Sequence, residues 1–299
     1  MSNNIAIYIP NYNGASFLKN VMIPAGISCV VMDNKSTDES EEVCRERGFI
    51  FVKNDIFVPR TENWNRCINH FRKSSYHWMK WLFVGDLLKE DAGNVLEYAA
   101  QTYPDAAEII FDYDIKLENG KSCIRKLEDS FVGYCDYRET LQRIVQYGNV
   151  FGSPIGIMIS QNANFDSVMI DDLEWSEDVS IAMQLTKERW IAYCNQNVGT
   201  FSTSSRRYYS TKRKSYISVM EDLEIQRRAL NILIKYKSPI ECMGKEWTLA
   251  KMRLCLEDNS VTFNGIWKLQ KSVFRCVAKN ILRKIEKNKG DRGNENSNS

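Results

Sequence analysis

Four clusters of polar side chains in this 299-residue chain stand where they could do chemistry. Tyr12 and Asn13 follow the apolar run IAIYIP, Asp33, Asn34 and Asp38 follow CVVM, and Asp86 follows WMKWLFVG. Asp and Asn can accept from or donate to a nucleobase and a ribose, and Tyr12 offers a ring face for stacking. Ser36, Thr37, Asp38 and Glu39 would equally serve to cap a helix, and Asp86 suits the N-cap of a helix over 87–100. The fourth cluster, Glu177-Asp178, opens an apolar helical pattern, where two carboxylates are also favoured by the helix dipole.

The elements that would position these groups can be read from periodicity. Short apolar runs rich in β-branched and aromatic residues, each stopped by Pro, Asn or Gly, predict strands near 5–10, 29–33, 49–52, 78–84 and 107–113. Helices are predicted between them: 39–47, stopped by Gly48; 59–73, with Trp64, Cys67, Ile68 and Phe71 at helical spacing; and 87–100. This β-α-β succession implies a mostly parallel sheet with helices on both faces. Its strand ends share one edge, where open α/β folds bind ligands.

Further on, a turn at 118–120 suggests a hairpin, followed by a helix over 137–147, a strand over 155–160, a helix over 179–187 with Ile181, Met183 and Leu185 inward, and a strand over 190–194. Residues 199–215 form a loop rich in Ser, Thr, Arg and Lys. Amphipathic helices are expected over 216–237, 246–257 and 266–285, and 288–299 is a polar tail read as disordered.

The ordered set PNYN (Pro10, Asn11, Tyr12, Asn13) and DNKSTD (Asp33, Asn34, Asp38), then NWNR, GDLL and an acidic pair opening a helix, resembles the nucleotide-sugar site of family 2 glycosyltransferases, which have the GT-A fold. The likeness covers about the first 200 residues, and no single motif decides it. The resemblance implies that PNYN and DNKSTD, with Asn65 and Arg66 and the strand end at Gly85, contact the donor nucleotide. It makes Asp86 the ligand of Mn²⁺ or Mg²⁺ bridging the donor phosphates, although Gly85 stands where the family usually has Asp. It assigns Asp178 as the base that takes the acceptor proton, with Glu177 second and Asp171, Asp172 and Glu174 as competitors. Trp175 is either an apolar platform for a sugar or a core residue. Arg206 and Arg207, in the basic loop, would close over the diphosphate, or else lie solvated.

The expected architecture is therefore one α/β globule, with a nucleotide-sugar half over 1–115, an acceptor half over 116–215, and a helical extension over 216–287. The expected activity is inverting transfer of a sugar, from a UDP-sugar, to a hydroxyl of a lipid-linked surface glycan. A weak or inactive nucleotide-sugar-binding protein on the same fold is the rival reading, supported by Gly85. A nucleotidyltransferase is disfavoured because PNYNGASFLKN lacks a Gly-rich basic loop. A net charge of +2 argues against a nucleic-acid partner. Nine scattered cysteines without a CxxC pair, no secretory signal and no long apolar run point to a reduced, cytoplasmic protein. The basic face of 266–285, with Trp267 and Phe274, either lies on an anionic membrane, placing the protein on the inner face of the plasma membrane, or docks on the protein body.

Overall fold

A computed structural model describes residues 4–117, 120–126, 129–166, 173, 176–202 and 214–236, the side chains of 214–220 and 234 excepted. Residues 4–140 and 151–202 belong to one compact unit, and 141–150 and 214–236 to a second.

The first unit is built on ten strands: β1 (Ile5–Asn11), β2 (Ser28–Asp33), β3 (Ile50–Lys53), β4 (Trp78–Trp81), β5 (Leu87–Leu88), β6 (Glu108–Lys116), β7 (Ser122–Arg125), β8 (Gly133–Cys135), β9 (Ile157–Ser160) and β10 (Ile191–Ser202). The sheet order is β3-β2-β1-β4-β9-β6-β10-β5, with β7 on β6 and β8 on β10. β1, β2, β3 and β4 pair in parallel, as do β6 and β10, while β9 runs antiparallel between β4 and β6. Six strands therefore point the same way, and their C-terminal ends share one edge.

The helices are α1 (Ala15–Asn20), α2 (Ser40–Glu46), α3 (Arg60–Lys73), α4 (Ala92–Thr102), α5 (Tyr137–Tyr147), α6 (Glu177–Leu185) and α7 (Lys214–Lys235). One face of the sheet buries Ile7, Ile9, Cys29 and Val31 with Leu18 of α1 and Val43 and Cys44 of α2. Beside them Ile5, Trp78, Ile109 and Phe111 pack with Val95, Leu96 and Ala99 of α4. On the opposite face Tyr8 meets Phe71 of α3 edge-on, with ring centroids 6.1 Å apart. The α3 residues Trp64, Cys67, Ile68 and Phe71 are all buried, in the phase their spacing predicted. In the second unit Leu223, Ala229, Leu230 and Leu233 of α7 are buried, and Gln226 donates to the Val145 carbonyl at 3.0 Å.

Three expectations are corrected. The fourth strand stops at Trp81, and 87–88 are a strand paired with Gly199 and Thr200 rather than a helix start. α4 begins only at Ala92, so Asp86 is not its N-cap. The last strand extends to Ser202, taking in the first residues assigned to the basic loop. In each case pairing across the sheet overrides local propensity.

Arg47 closes the short α1: its guanidinium donates to the carbonyls of Leu18, Lys19 and Val21, each at 2.9 Å, and lies 4.8 Å above the Phe49 ring. These are orphan carbonyls of a helix end, and hydrogen bonds from a charged donor to such groups are worth about 1.5–3 kcal/mol. Arg47→Ala should lower unfolding stability by about that amount, as a reduced denaturant midpoint at unchanged slope.

Candidate functional site

The loops after β1 and β2 are laced together by their own polar groups. In register, Asn11 lies opposite Asp33. Asn11 Nδ2 donates to Asp33 Oδ1 at 2.9 Å and lies 3.0 Å from Ser40 Oγ. Asp33 also accepts the Ser36 amide at 2.9 Å and the Ser36 hydroxyl. Asn13, at a left-handed φ of 51°, accepts the Thr37 amide at 2.8 Å, and its own amide donates to Ser36 Oγ at 2.8 Å. Asp38 accepts the first amide of α1, from Ala15, at 2.9 Å. Burial pushes the Asp38 carboxyl up, but the Ser40 hydroxyl and the Ala15 and Ser40 amides outweigh it and leave its pKa below the usual value. Gly14 completes the corner, because a Cβ there would stand 2.1 Å from Asn11 Oδ1.

Behind this corner Asn34 accepts the Val58 amide at 3.0 Å and donates to the Val58 carbonyl at 2.8 Å. Asn54 reaches Asn63 of α3 at 2.9 Å, and Asn63 donates to the Met32 carbonyl at 3.2 Å. The amides thus bind the loop 54–59 to the end of β2. On the outside Tyr12 is 52% exposed and meets Phe57, 58% exposed, edge-on at 5.1 Å between centroids.

Further along the same edge, the chain leaves β4 through Phe83, Val84 and Gly85 and reaches Asp86, whose amide donates to the Phe83 carbonyl at 2.9 Å. Gly85 has φ +97°, outside the narrow left-handed basin that Asp tolerates, which is a physical reason for Gly where an acid was expected. Asp86 is 1% exposed, and its Oδ1 lies 3.4 Å from the Ser202 amide. Among the described residues no cluster of three or more His, Cys, Asp or Glu is poised around a metal ion.

The acidic pair sits at the first turn of α6. Glu177 is buried and held by α3, with an ion pair to Arg60 and the Thr61 hydroxyl at 3.2 Å. Asp178 is left to line a small cavity with Trp64, Trp81, Phe83, Glu108, Pro154, Ile157, Ile159, Ile181 and Ala182. Burial pushes Asp178 up to about 7; the Val179 amide and Arg60 oppose this, and the charge of Glu177 adds to it. Glu108 is fully buried with no hydrogen-bond partner for either oxygen among the described residues, and burial raises its pKa well above the usual carboxylate value. Burial raises the Tyr113 pKa; the Arg125 charge and the Ser153 amide oppose this, and the charges of Asp178 and Asp86 add to it.

No protein-family profile and no curated protein matches the sequence. The backbone does match solved structures. The crystal structure of S. aureus TarS 1–349 aligns with TM-score 0.53 at 10% identity, over 76% of this chain and 65% of that one. Its complex with UDP-GlcNAc aligns with TM-score 0.53 at 10% identity, over 91% and 80%. Longer TarS aligns with TM-score 0.50 over 77% of this chain and 43% of that one, so the chain spans 65% to 80% of TarS 1–349 and under half of TarS.

The fold is GT-A-like.

On this GT-A-like frame Pro10, Asn11, Tyr12, Asn13, Asp33, Asn34 and Asp38 are brought together at one corner, Gly85 and Asp86 follow the end of β4 on the same edge, and Asp178 lines a cavity with Trp81 and Phe83. Asn11, Asp33 and Asn34 have their side chains engaged within the protein. Asn65 is partly buried, and Arg66 pairs with Glu62 on its own helix at 3.1 Å. Trp175, Asp171, Asp172, Glu174, Arg206, Arg207, 266–285 and 288–299 lie outside the described residues. Asn54, Asn63, Arg60, Lys80, Glu108 and Tyr113 were not anticipated. For Asn63 a signal existed: it precedes Trp64 on the buried stripe of α3, whereas Asn65 is out of phase with that stripe.

The raised Asp178 carboxyl has a consequence for stability. Its folded pKa of about 7 exceeds the ordinary 3.8, so the folded state holds the proton more tightly, and ionising it costs stability as pH rises from about 4 to 7. Asp178→Asn removes that cost. The variant should melt above the wild type at pH 8, with the gap closing toward pH 4, as read by thermal scans.

Proposed function

We propose that this chain is an inverting glycosyltransferase that moves a sugar from a nucleotide diphosphate donor, a UDP-sugar, to a hydroxyl of a lipid-linked surface glycan. One observation carries the reading: Asp178 lines a cavity with Trp81 and Phe83, on the stretch that runs from β4 to Asp86, and burial raises it to about 7. A carboxylate with that proton affinity can accept a hydroxyl proton at neutral pH. The GT-A-like frame shared with TarS, solved with UDP-GlcNAc, supports the nucleotide-sugar donor.

In this reading the uracil stacks on the exposed Tyr12 ring, beside the laced corner of Asn11, Asn13, Asp33 and Asp38. The acceptor oxygen, losing its proton to Asp178, bonds to the anomeric carbon, and the bond from that carbon to the diphosphate oxygen breaks with its electron pair leaving on UDP. Glu177, paired with Arg60, orients α6 rather than taking the proton. A Mn²⁺ or Mg²⁺ ion would be held by Asp86 together with the donor phosphates, as a hard cation with a single protein carboxylate can be, and would neutralise the leaving diphosphate. Arg206 and Arg207 are proposed to add charge over that diphosphate, Trp175 to contact the acceptor, and 266–285 to rest on an anionic membrane at its cytoplasmic face. Among the described residues no helix is long and apolar enough to cross a membrane.

The rival, a binder with little or no turnover, is favoured by Gly85, whose φ leaves this corner with one carboxylate. Calorimetry with UDP, with and without Mn²⁺, combined with a UDP-sugar hydrolysis assay, separates the two. Binding and turnover support the transferase; binding without turnover across a donor panel supports the rival; no binding overturns both.

Two variants sharpen the test. Tyr12→Ala should weaken UDP binding by about 1–3 kcal/mol, the scale of one base–aromatic stack. Asp178→Asn should reduce turnover by about 10²–10⁴ while leaving the UDP Kd unchanged. Wild-type turnover should rise with pH through about 7, as Asp178 loses its proton.

A further inference from the structure

Lys80, in the middle of β4, is a fully buried lysine that the reaction described above does not use. Its Nζ donates to the carbonyls of Trp81 at 3.1 Å and Ile157 at 3.2 Å, and also to that of Ile155, with the Pro154 carbonyl 3.5 Å away. Three of these four carbonyls belong to the turn 154–157, which leads into β9. That strand is antiparallel to β4, with Met158 opposite Lys80, so the turn lies beside the C-terminal end of β4, where the chain goes on to Asp86. Burial pushes Lys80 down to about 7, and the charge of Asp86 opposes that fall.

A second tie holds the same turn from β6. Ser153 N donates to the Tyr113 hydroxyl at 2.8 Å. Gly156 lies against the Tyr113 ring so closely that a Cβ would stand 2.8 Å from Cδ1 and 3.0 Å from the Phe111 carbonyl oxygen. The turn is therefore fixed to its two neighbouring strands by side chains that point to one face of the sheet, among Ile155 and Leu82. Pro154 and Ile157 at the same time line the cavity that holds Asp178.

We propose that Lys80 is a positioning residue for the transfer reaction: by tying the turn 154–157 to β4, from which the chain runs on to Asp86, it fixes the cavity wall that faces Asp178, and so fixes the base relative to the donor diphosphate. The proposal rests on the glycosyltransferase reading for its catalytic consequence, but its structural half stands alone. A lysine suits the task because its ammonium can donate to several carbonyls at once. Misplacing a catalytic group by a fraction of an ångström costs rate without costing donor affinity. The nucleotide corner at β1 and β2 is untouched by the clamp.

The test uses Lys80→Met, which keeps the length of the side chain and removes the donors, and Tyr113→Phe, which removes only the second tie. Val95→Ala, in the core beneath α4, serves as a control for lost stability alone. For the folded protein, kcat for UDP-sugar hydrolysis should fall about tenfold or more in Lys80→Met and by less in Tyr113→Phe, with donor KM and UDP Kd within about twofold of wild type. Val95→Ala should leave kcat unchanged. Hydrogen–deuterium exchange should rise over 153–157 and 177–182 in both clamp variants and stay unchanged over 28–33. Wild-type kcat in both clamp variants, or unaltered exchange over 177–182, overturns the proposal. If Lys80→Met does not fold, Tyr113→Phe decides by the same two readouts. If the wild type itself does not turn over, the glycosyltransferase reading falls, and the exchange pattern still decides whether the clamp exists.

Discussion

Strands that run the same way must end on the same edge, and the site follows from that constraint. β1, β2, β4, β6 and β10 deliver Asn11, Asp33, Asp86, Tyr113 and Ser202 to one rim, although these residues are spread over most of the described chain. What remains to be solved is local: polar groups arriving at a partly desolvated edge must find partners. The lacing of Asn11, Asn13, Asp33, Ser36, Asp38 and Ser40 does this at the corner after β1 and β2, and Lys80 does it where β9 enters between β4 and β6.

The same rim separates two kinds of carboxylate. Asp33 and Glu177 are consumed by donors from the protein, so they act as braces. Asp178, one residue from Glu177, accepts one backbone amide and faces an aromatic-lined cavity, which leaves its proton affinity near neutrality. Adjacent acids in one turn thus receive different duties from the element each faces: Glu177 meets the α3 N-terminus, and Asp178 meets Trp64, Trp81 and Phe83.

Much of this was legible in the sequence because strand and helix periods are local. The runs ending at Pro10-Asn11 and Asp33 marked the corner, and the stripe of Trp64, Cys67, Ile68 and Phe71 marked α3. What escaped was set by long-range pairing. Nothing near Leu87-Leu88 reveals that Gly199 and Thr200 will recruit them into a strand, and an apolar run after Asp86 reads as helix. Nor does WMKWLFV show that its single lysine will meet the carbonyls of a turn some seventy residues away. Residue type alone also does not say that Asn11 and Asp33 will hydrogen-bond to each other and to Ser36 within the protein.

The backbone at Gly85 closes a route of change. At φ +97° any residue with a Cβ is strained, by about 1–3 kcal/mol for such conformations. A single substitution that installs a second acid here would place that strain on the connection between β4 and β5 that carries Asp86. A second carboxylate beside Asp86 is therefore reached by rebuilding the segment from Phe83 to Leu88 as a whole, and not by changing position 85 alone.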